Sequence, residues 1–196
     1  MKPPVAVLFA CKNSIYHQIH GCDVYDIDRD ARTFTDDRPV IAHPPCRAWS
    51  SFRNFAKPLP GEKQLGFFAV DKVRSNGGVL EHPLNSMLWP AAGLPGVGEI
   101  DEYGGFTTVI DQFWFGHRAQ KRTRLYIVGV LPLRLPPYPL TLGRPPRVVT
   151  NNKKIPSGSI GYRKEITPSE REATPYDLAC WLLNVALDVR YPRLVA

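Results

Sequence analysis

The stretch "GEKQLGFFAVDKVRSNGGVLEHP", residues 61–83, decides the fold class. Leu65, Phe68, Ala69, Lys72 and Val73 recur at helical spacing, so its first part reads as a helix. Asn76-Gly77-Gly78 stops that helix, because glycine takes the left-handed backbone that ends one. "GVLEHP" (78–83) follows at once as a short apolar strand. A helix running directly into such a strand is one half of a strand–helix–strand unit.

The same alternation extends in both directions. "VAVLFA" (5–10), "CDVYDID" (22–28) and "RPVIAHP" (38–44) read as strands, and "SIYHQIHG" (14–21) as a short helix closed by Gly21. "FTTVIDQFWF" (106–115) and "RLYIVGVL" (124–131) are two more strands, separated by a polar turn. "PYDLACWLLNVALDV" (175–189) is a final helix, opened by Thr174-Pro175 in N-cap and N1 style. Fully apolar strands alternating with helices predict an α/β domain over 1–196, its sheet mainly parallel with helices on both faces.

The 196 residues are 43% hydrophobic, with no apolar run long enough to cross a membrane. "MKPPVAVLFACKN" reads as a first strand rather than a secretory signal. The four cysteines, Cys11, Cys22, Cys46 and Cys180, are scattered without a disulfide pattern, which points to a reducing cytoplasm. Cys11, His17, His20, Cys22 and His43 match no common zinc spacing, so no metal is expected.

The net charge of +7 is unevenly placed: residues 112–164 hold 11 Lys/Arg and no acid. Such a field suits a polyphosphate, because each neutralised phosphate releases counterions. Trp114, Tyr126, Tyr138 and Tyr162 interleave with the basic residues. Within this stretch, 132–162 begins with six prolines in 15 residues, Pro132 to Pro146, and reads as a basic Pro/Gly-rich loop insertion.

Three patches carry chemistry. They are Pro44-Pro45-Cys46 followed by "RAWS", "LEHP" (80–83), and "AQKRTRLYIVG" (119–129), which holds Gln120-x-Arg122-x-Arg124. Cys46 and Glu81 both follow strand ends, where open α/β sheets bind their ligands.

This ordered set resembles the DNA cytosine-5 methyltransferase family, which has a Pro-Cys nucleophile loop, a Glu-Asn-Val strand end and a Gln-x-Arg-x-Arg turn in that order. "RKEITPSE" (163–170) resembles the family's late Arg-x-Leu-Thr-x-x-Glu pattern. "VLFAC" (7–11) resembles the start of its Phe-x-Gly-x-Gly cofactor loop, and "YDIDRDA" (25–31) its acidic strand end. The resemblance spans roughly residues 5 to 187. It implies a Rossmann-like methyltransferase domain, with 132–162 as a reduced target-recognition region. It implies S-adenosylmethionine at Phe9, Ala10 and Asp26, and DNA, with RNA as the other choice, as the partner.

The implied chemistry starts with a base flipped out of its duplex. The Cys46 thiolate adds to carbon 6 of a pyrimidine, turning carbon 5 into a nucleophile. Glu81, near-neutral or sharing a proton, assists at ring nitrogen N3. Arg124 holds the base carbonyl O2 or the nearby backbone, and Arg122 supports a phosphate or the Cys46 loop. Gln120, Arg118, Lys121, Arg144, Arg147, Lys153 and Lys154 grip the nucleic acid.

The sequence departs from the family in three places. The loop Phe9-Ala10-Cys11-Lys12-Asn13-Ser14 has no glycine, and the next one is Gly21. Only 20 residues lead from Asp26 to Cys46, too few for a further strand and helix, and Asp36 or Asp37 substitutes poorly for an adenine-holding acid. His82-Pro83 stands where the family has Asn-Val. The alternative expectation is a DNA-binding accessory protein that has lost transfer.

Overall fold

The computed structural model describes residues 4–50, 56–150, 155 and 157–190. Its centre is one six-stranded sheet in the order β2-β1-β3-β4-β6-β5. The strands are β1 (Val5–Leu8), β2 (Cys22–Tyr25), β3 (Val40–Ala42), β4 (Gly78–Pro83), β5 (Phe106–Asp111) and β6 (Arg122–Val128). β2, β1, β3 and β4 run parallel, while β6 is antiparallel to both β4 and β5.

The sheet is therefore mixed, and the expectation of a mainly parallel one is corrected. The cause is local. A parallel return needs a long crossover, whereas β5 and β6 are joined by the short segment 112–121. One carboxylate organises this turn: Asp111 Oδ1 accepts the N–H groups of Phe113 at 3.1 Å and Lys121 at 3.0 Å. The predicted strand 106–115 accordingly ends at Asp111, and Gln112–Phe115 coils into a 3-10 turn.

Alternation along the strands loads both faces. On one face, Val7, Ile41, Val79, Leu125 and Ile127 pack with Leu178, Leu182 and Val185 of α4 (Tyr176–Leu187). On the other, Leu8, Val40, Leu80, Tyr126 and Val128 meet Ala69, Val70 and Val73 of α1 (Glu62–Asn76). Each fully buried Val or Leu contributes about 1.5–3 kcal/mol, so helices on both faces follow from the pattern. Two short helices, α2 (Leu88–Ala91) and α3 (Pro168–Glu172), complete the set among the described residues. None is long and apolar enough to cross a membrane.

Two glycines fix the joint between α1 and β4. Gly77 and Gly78 have φ of 72° and 122°, and a Cβ on Gly78 would collide with the Val40 carbonyl. The "SIYHQIHG" stretch gives only a 3-10 turn, Ile15–Gln18. The Pro-rich segment is extended but anchored. Tyr138 stacks on Trp181 at 5.4 Å, and Trp181 Nε1 donates to the Pro136 carbonyl at 3.1 Å.

Candidate active site

β1 is flanked by β2 on one side and β3 on the other, so the strand order turns between β1 and β3. A crevice forms outside the strand ends at such a point. Two loops border it, one leaving β1 at Phe9 and one leaving β3 at His43. Backbone bonds tie them down: His43 N donates to Leu8 O at 3.0 Å, and Ala10 N to Tyr25 O at 3.2 Å. Phe9 has φ of 63°, a strained value for a bulky residue, and packs edge-on against Phe68 at 6.1 Å.

The β3 loop presents Cys46. It is exposed and begins a 3-10 turn, Arg47–Trp49, whose Trp49 N returns to the Cys46 carbonyl at 3.0 Å. Trp49 is buried against Gly66 of α1, where a Cβ would stand 2.5 Å from its Nε1. Arg47 reaches the buried Glu62 at the start of α1, with Nη2 to Oε2 at 2.9 Å. The thiol thus rides on a loop stapled to α1 at two places just after it, Arg47 and Trp49. Desolvation and the nearby Glu81 charge push the thiol above its ordinary value, while Lys121 pulls it down.

Glu81 lies on the neighbouring strand, and β3 pairs directly with β4. Its Oε2 is 3.0 Å from His43 Nδ1, and its Oε1 accepts from Gln112 Nε2 at 3.1 Å. Gln112 Nε2 also donates to Thr123 Oγ1 at 3.0 Å, and His43 Nε2 meets the Tyr16 hydroxyl at 3.0 Å. Desolvation alone would raise the Glu81 carboxyl. The His43 hydrogen bond and charge, with Lys121 and His82, override it and hold the group down at about 2. The unliganded carboxylate is therefore ionised, not near-neutral. Its side chain stays 13% exposed, which leaves an approach for a ligand. Gln112 Oε1 is buried without a hydrogen-bond partner, a cost of about 1–3 kcal/mol accepted in aiming the amide nitrogen at Glu81.

The two arginines fall elsewhere. Glu81 pairs with Leu125, and His82 with Arg124, so Arg124 shares the His82 face of the sheet. Its guanidinium lies 5.6 Å from the Trp89 ring centroid, among the α1-side core. Arg122, two residues earlier on the same strand, takes that face too and is exposed. The structure does not bring Arg122 or Arg124 to Glu81; Thr123, between them, arrives instead. His82 has its own place. The Ser86 hydroxyl accepts from Leu88 N at 3.0 Å and hydrogen-bonds His82 Nδ1 at 2.6 Å. The remaining ring nitrogen faces the Pro44 and Pro45 carbonyls, so His82 lies beneath the Cys46 loop. Burial holds it neutral, with its pKa lowered to about 4.

The residues assigned to S-adenosylmethionine do not fit that group as they stand. Asp26 Oδ1 accepts the N–H groups of Asp28 at 3.0 Å and Arg29 at 3.2 Å, and Oδ2 stands 3.4 Å from His17 Nε2. Lys12 and Asp28 form a 2.6 Å ion pair joining the loops after β1 and β2. Side chains at Ala10 and Cys11 occupy the positions where glycine would let a ligand approach the backbone. Among the described residues no group of three or more His, Cys, Asp or Glu could hold a metal ion.

The expected nucleic-acid contacts divide. Gln120 and Arg144 are exposed, and Arg147 is half-buried beside Ala119. Arg118 is exposed but paired with Glu170, so it serves as a clamp to α3. Lys121 is half-buried, and its charge acts on both Cys46 and Glu81. Lys153 and Lys154 lie outside the described residues. Sequence reasoning missed His43 as a Glu81 partner, and missed Gln112, Thr123 and Tyr16. The one signal was His43 itself, a titratable residue at a strand end beside Cys46. No protein-family model matches this chain, and no curated protein matches it.

Proposed function

We propose that the protein acts on pyrimidine bases of nucleic acid, with Cys46 adding to carbon 6 of a base held at the β3–β4 edge. One observation carries this reading. An exposed thiol stands beside an ionised carboxylate that protein groups hold at both oxygens, with Lys121 acting on both. Perturbed titratable groups held together in this way are characteristic of catalytic sites. The Rossmann-like half of the sheet, β2-β1-β3-β4, supports it by turning its strand order at the same edge, where such sheets bind their ligands. The acid-free stretch 112–164 supplies the attraction for DNA, or for RNA.

Addition alone has a donor-free signature. Once sulfur is bonded to carbon 6, carbon 5 takes a proton from water, and elimination returns a base carrying solvent hydrogen. Wild-type protein in deuterium oxide is expected to exchange the C5 hydrogen of cytosine in an oligonucleotide, and Cys46→Ser to abolish it. Absence of exchange in the wild type defeats the reading. A second reading, an accessory binder without transfer chemistry, is favoured by the engaged Asp26 and the Lys12–Asp28 bridge. It requires that oligonucleotides bind equally to wild type and Cys46→Ser and that neither exchanges.

A further inference from the structure

Behind Glu81 runs a buried chain that the base-addition reading does not itself require: Tyr16 hydroxyl, His43 ring, Glu81 carboxylate. We propose that His43 is the proton-holding positioning residue of the site, working through Glu81, with Tyr16 fixing its ring. This rests on the reading of Cys46 above.

The hydrogen-bond geometry assigns the protons. Glu81 is an acceptor at Oε2, so His43 Nδ1 carries a hydrogen and donates it. Tyr16 is buried, and desolvation with the Glu81 charge pushes its phenol well above the usual value, so it keeps its hydrogen. In the neutral ring, the Tyr16 O–H donates to Nε2. In the imidazolium, Nε2–H donates to the Tyr16 oxygen. One ring position therefore serves both charge states without moving. The groups facing the His43–Glu81 pair are Tyr16 from the 15–18 turn, His82 from β4, Lys121 from the turn before β6, and Cys46 from the loop of His43 itself. Cys22 of β2 and Cys180 of α4 face Tyr16 from behind.

A carboxyl held this low carries almost no proton at neutral pH, so it needs a supplier. The step balances with His43 in that role. The Cys46 thiol first gives its proton to solvent. Its sulfur pair then forms the S–C6 bond, and the C5–C6 π pair becomes the C4–C5 π bond. The C4–N3 π pair then takes up a proton at N3. Glu81 relays that proton: its carboxylate takes it from Nδ1 of the imidazolium and passes it to N3. Thiolate and imidazolium both end neutral, and Glu81 ends ionised as it began; the ring is left with its hydrogen on Nε2, donated to the Tyr16 oxygen, until solvent returns a proton to Nδ1.

The test is the deuterium exchange reaction followed against pH, with His43→Gln beside wild type. Glutamine can still donate a hydrogen bond to Glu81 but holds no extra proton. Wild type is expected to give a bell-shaped profile, with a fall at alkaline pH. His43→Gln is expected to be about 100-fold slower or worse and to lose the alkaline fall. A rate within about threefold of wild type, with the bell intact, overturns the proposal, since a general acid–base group is worth far more. A second measurement needs no turnover: nitrogen NMR of the His43 ring. It should show Nδ1 protonated and its environment changed in Glu81→Gln. A ring with Nδ1 unprotonated overturns the chain even if wild type exchanges, whereas no exchange with Nδ1 protonated overturns the Cys46 reading and the catalytic use of the chain together.

Discussion

At the scale of single residues, the site contains two groups whose acid–base behaviour is tied to folding. Burial lowers His82 from 6.5 to about 4. His43, Lys121 and His82 lower Glu81 from 4.5 to about 2 against the desolvation that would raise it. Both folded values are depressed, so the unfolded chain binds more protons in those windows. The stability they confer is complete above pH 6.5. It falls first as His82 must charge, between 6.5 and about 4, then as Glu81 must protonate, between 4.5 and about 2. Thermal melts from pH 7 to 3 should show both declines, and Glu81→Gln should flatten the lower one. The neighbourhood of Cys46 and Glu81 was legible in the sequence because Cys46 follows the apolar run 40–42 and Glu81 closes the apolar run 78–80, on strands that pair. Tyr16, His43 and Gln112 were not, since each sits in a turn or loop whose partner exists only once the strands have been ordered.

At the scale of elements, the α1–β4 joint is the least replaceable. Gly78 combines φ of 122° with a carbonyl in the space a Cβ would fill. Gly78→Ala must move β3 away from β4, and these strands carry Cys46 and Glu81. A loss of about 3 kcal/mol or more is expected by chemical denaturation, combining collision with backbone strain. The helix and the strand that meet here could be read from the sequence almost to the residue. The direction of β6 could not be read from its own residues, although the short polar turn before it hinted at a hairpin. Nor could the face taken by Arg122 and Arg124. Period two says that they share a side, but only the pairing of His82 with Arg124 says which.

At the scale of the whole molecule, the positive stretch 112–164 is partly answered by acids from the C-terminal part. Arg118 pairs with Glu170, and Arg134 with Asp188 through Nε and Nη2 at 2.7 and 2.6 Å. The field left for a polyanion is smaller than the sequence count suggests. Arg144, exposed on the Pro-rich segment, remains available. Arg144→Ala should weaken oligonucleotide binding evenly across sequences and reduce the log–log salt slope by about 1. Arg118→Ala should change that slope less and act instead on the α3 contact.

The turn 112–121 has a bearing on timing. Its first residue holds the carboxylate, its last flanks the thiol, and Asp111 grips both ends of the loop between them. Gln120, at its outer rim, is exposed to whatever the basic surface draws in. One carboxylate therefore sets the place of both, and Asp111→Ala should loosen Gln112 and Lys121 together; under the proposed function, oligonucleotide affinity and exchange rate should then fall in step.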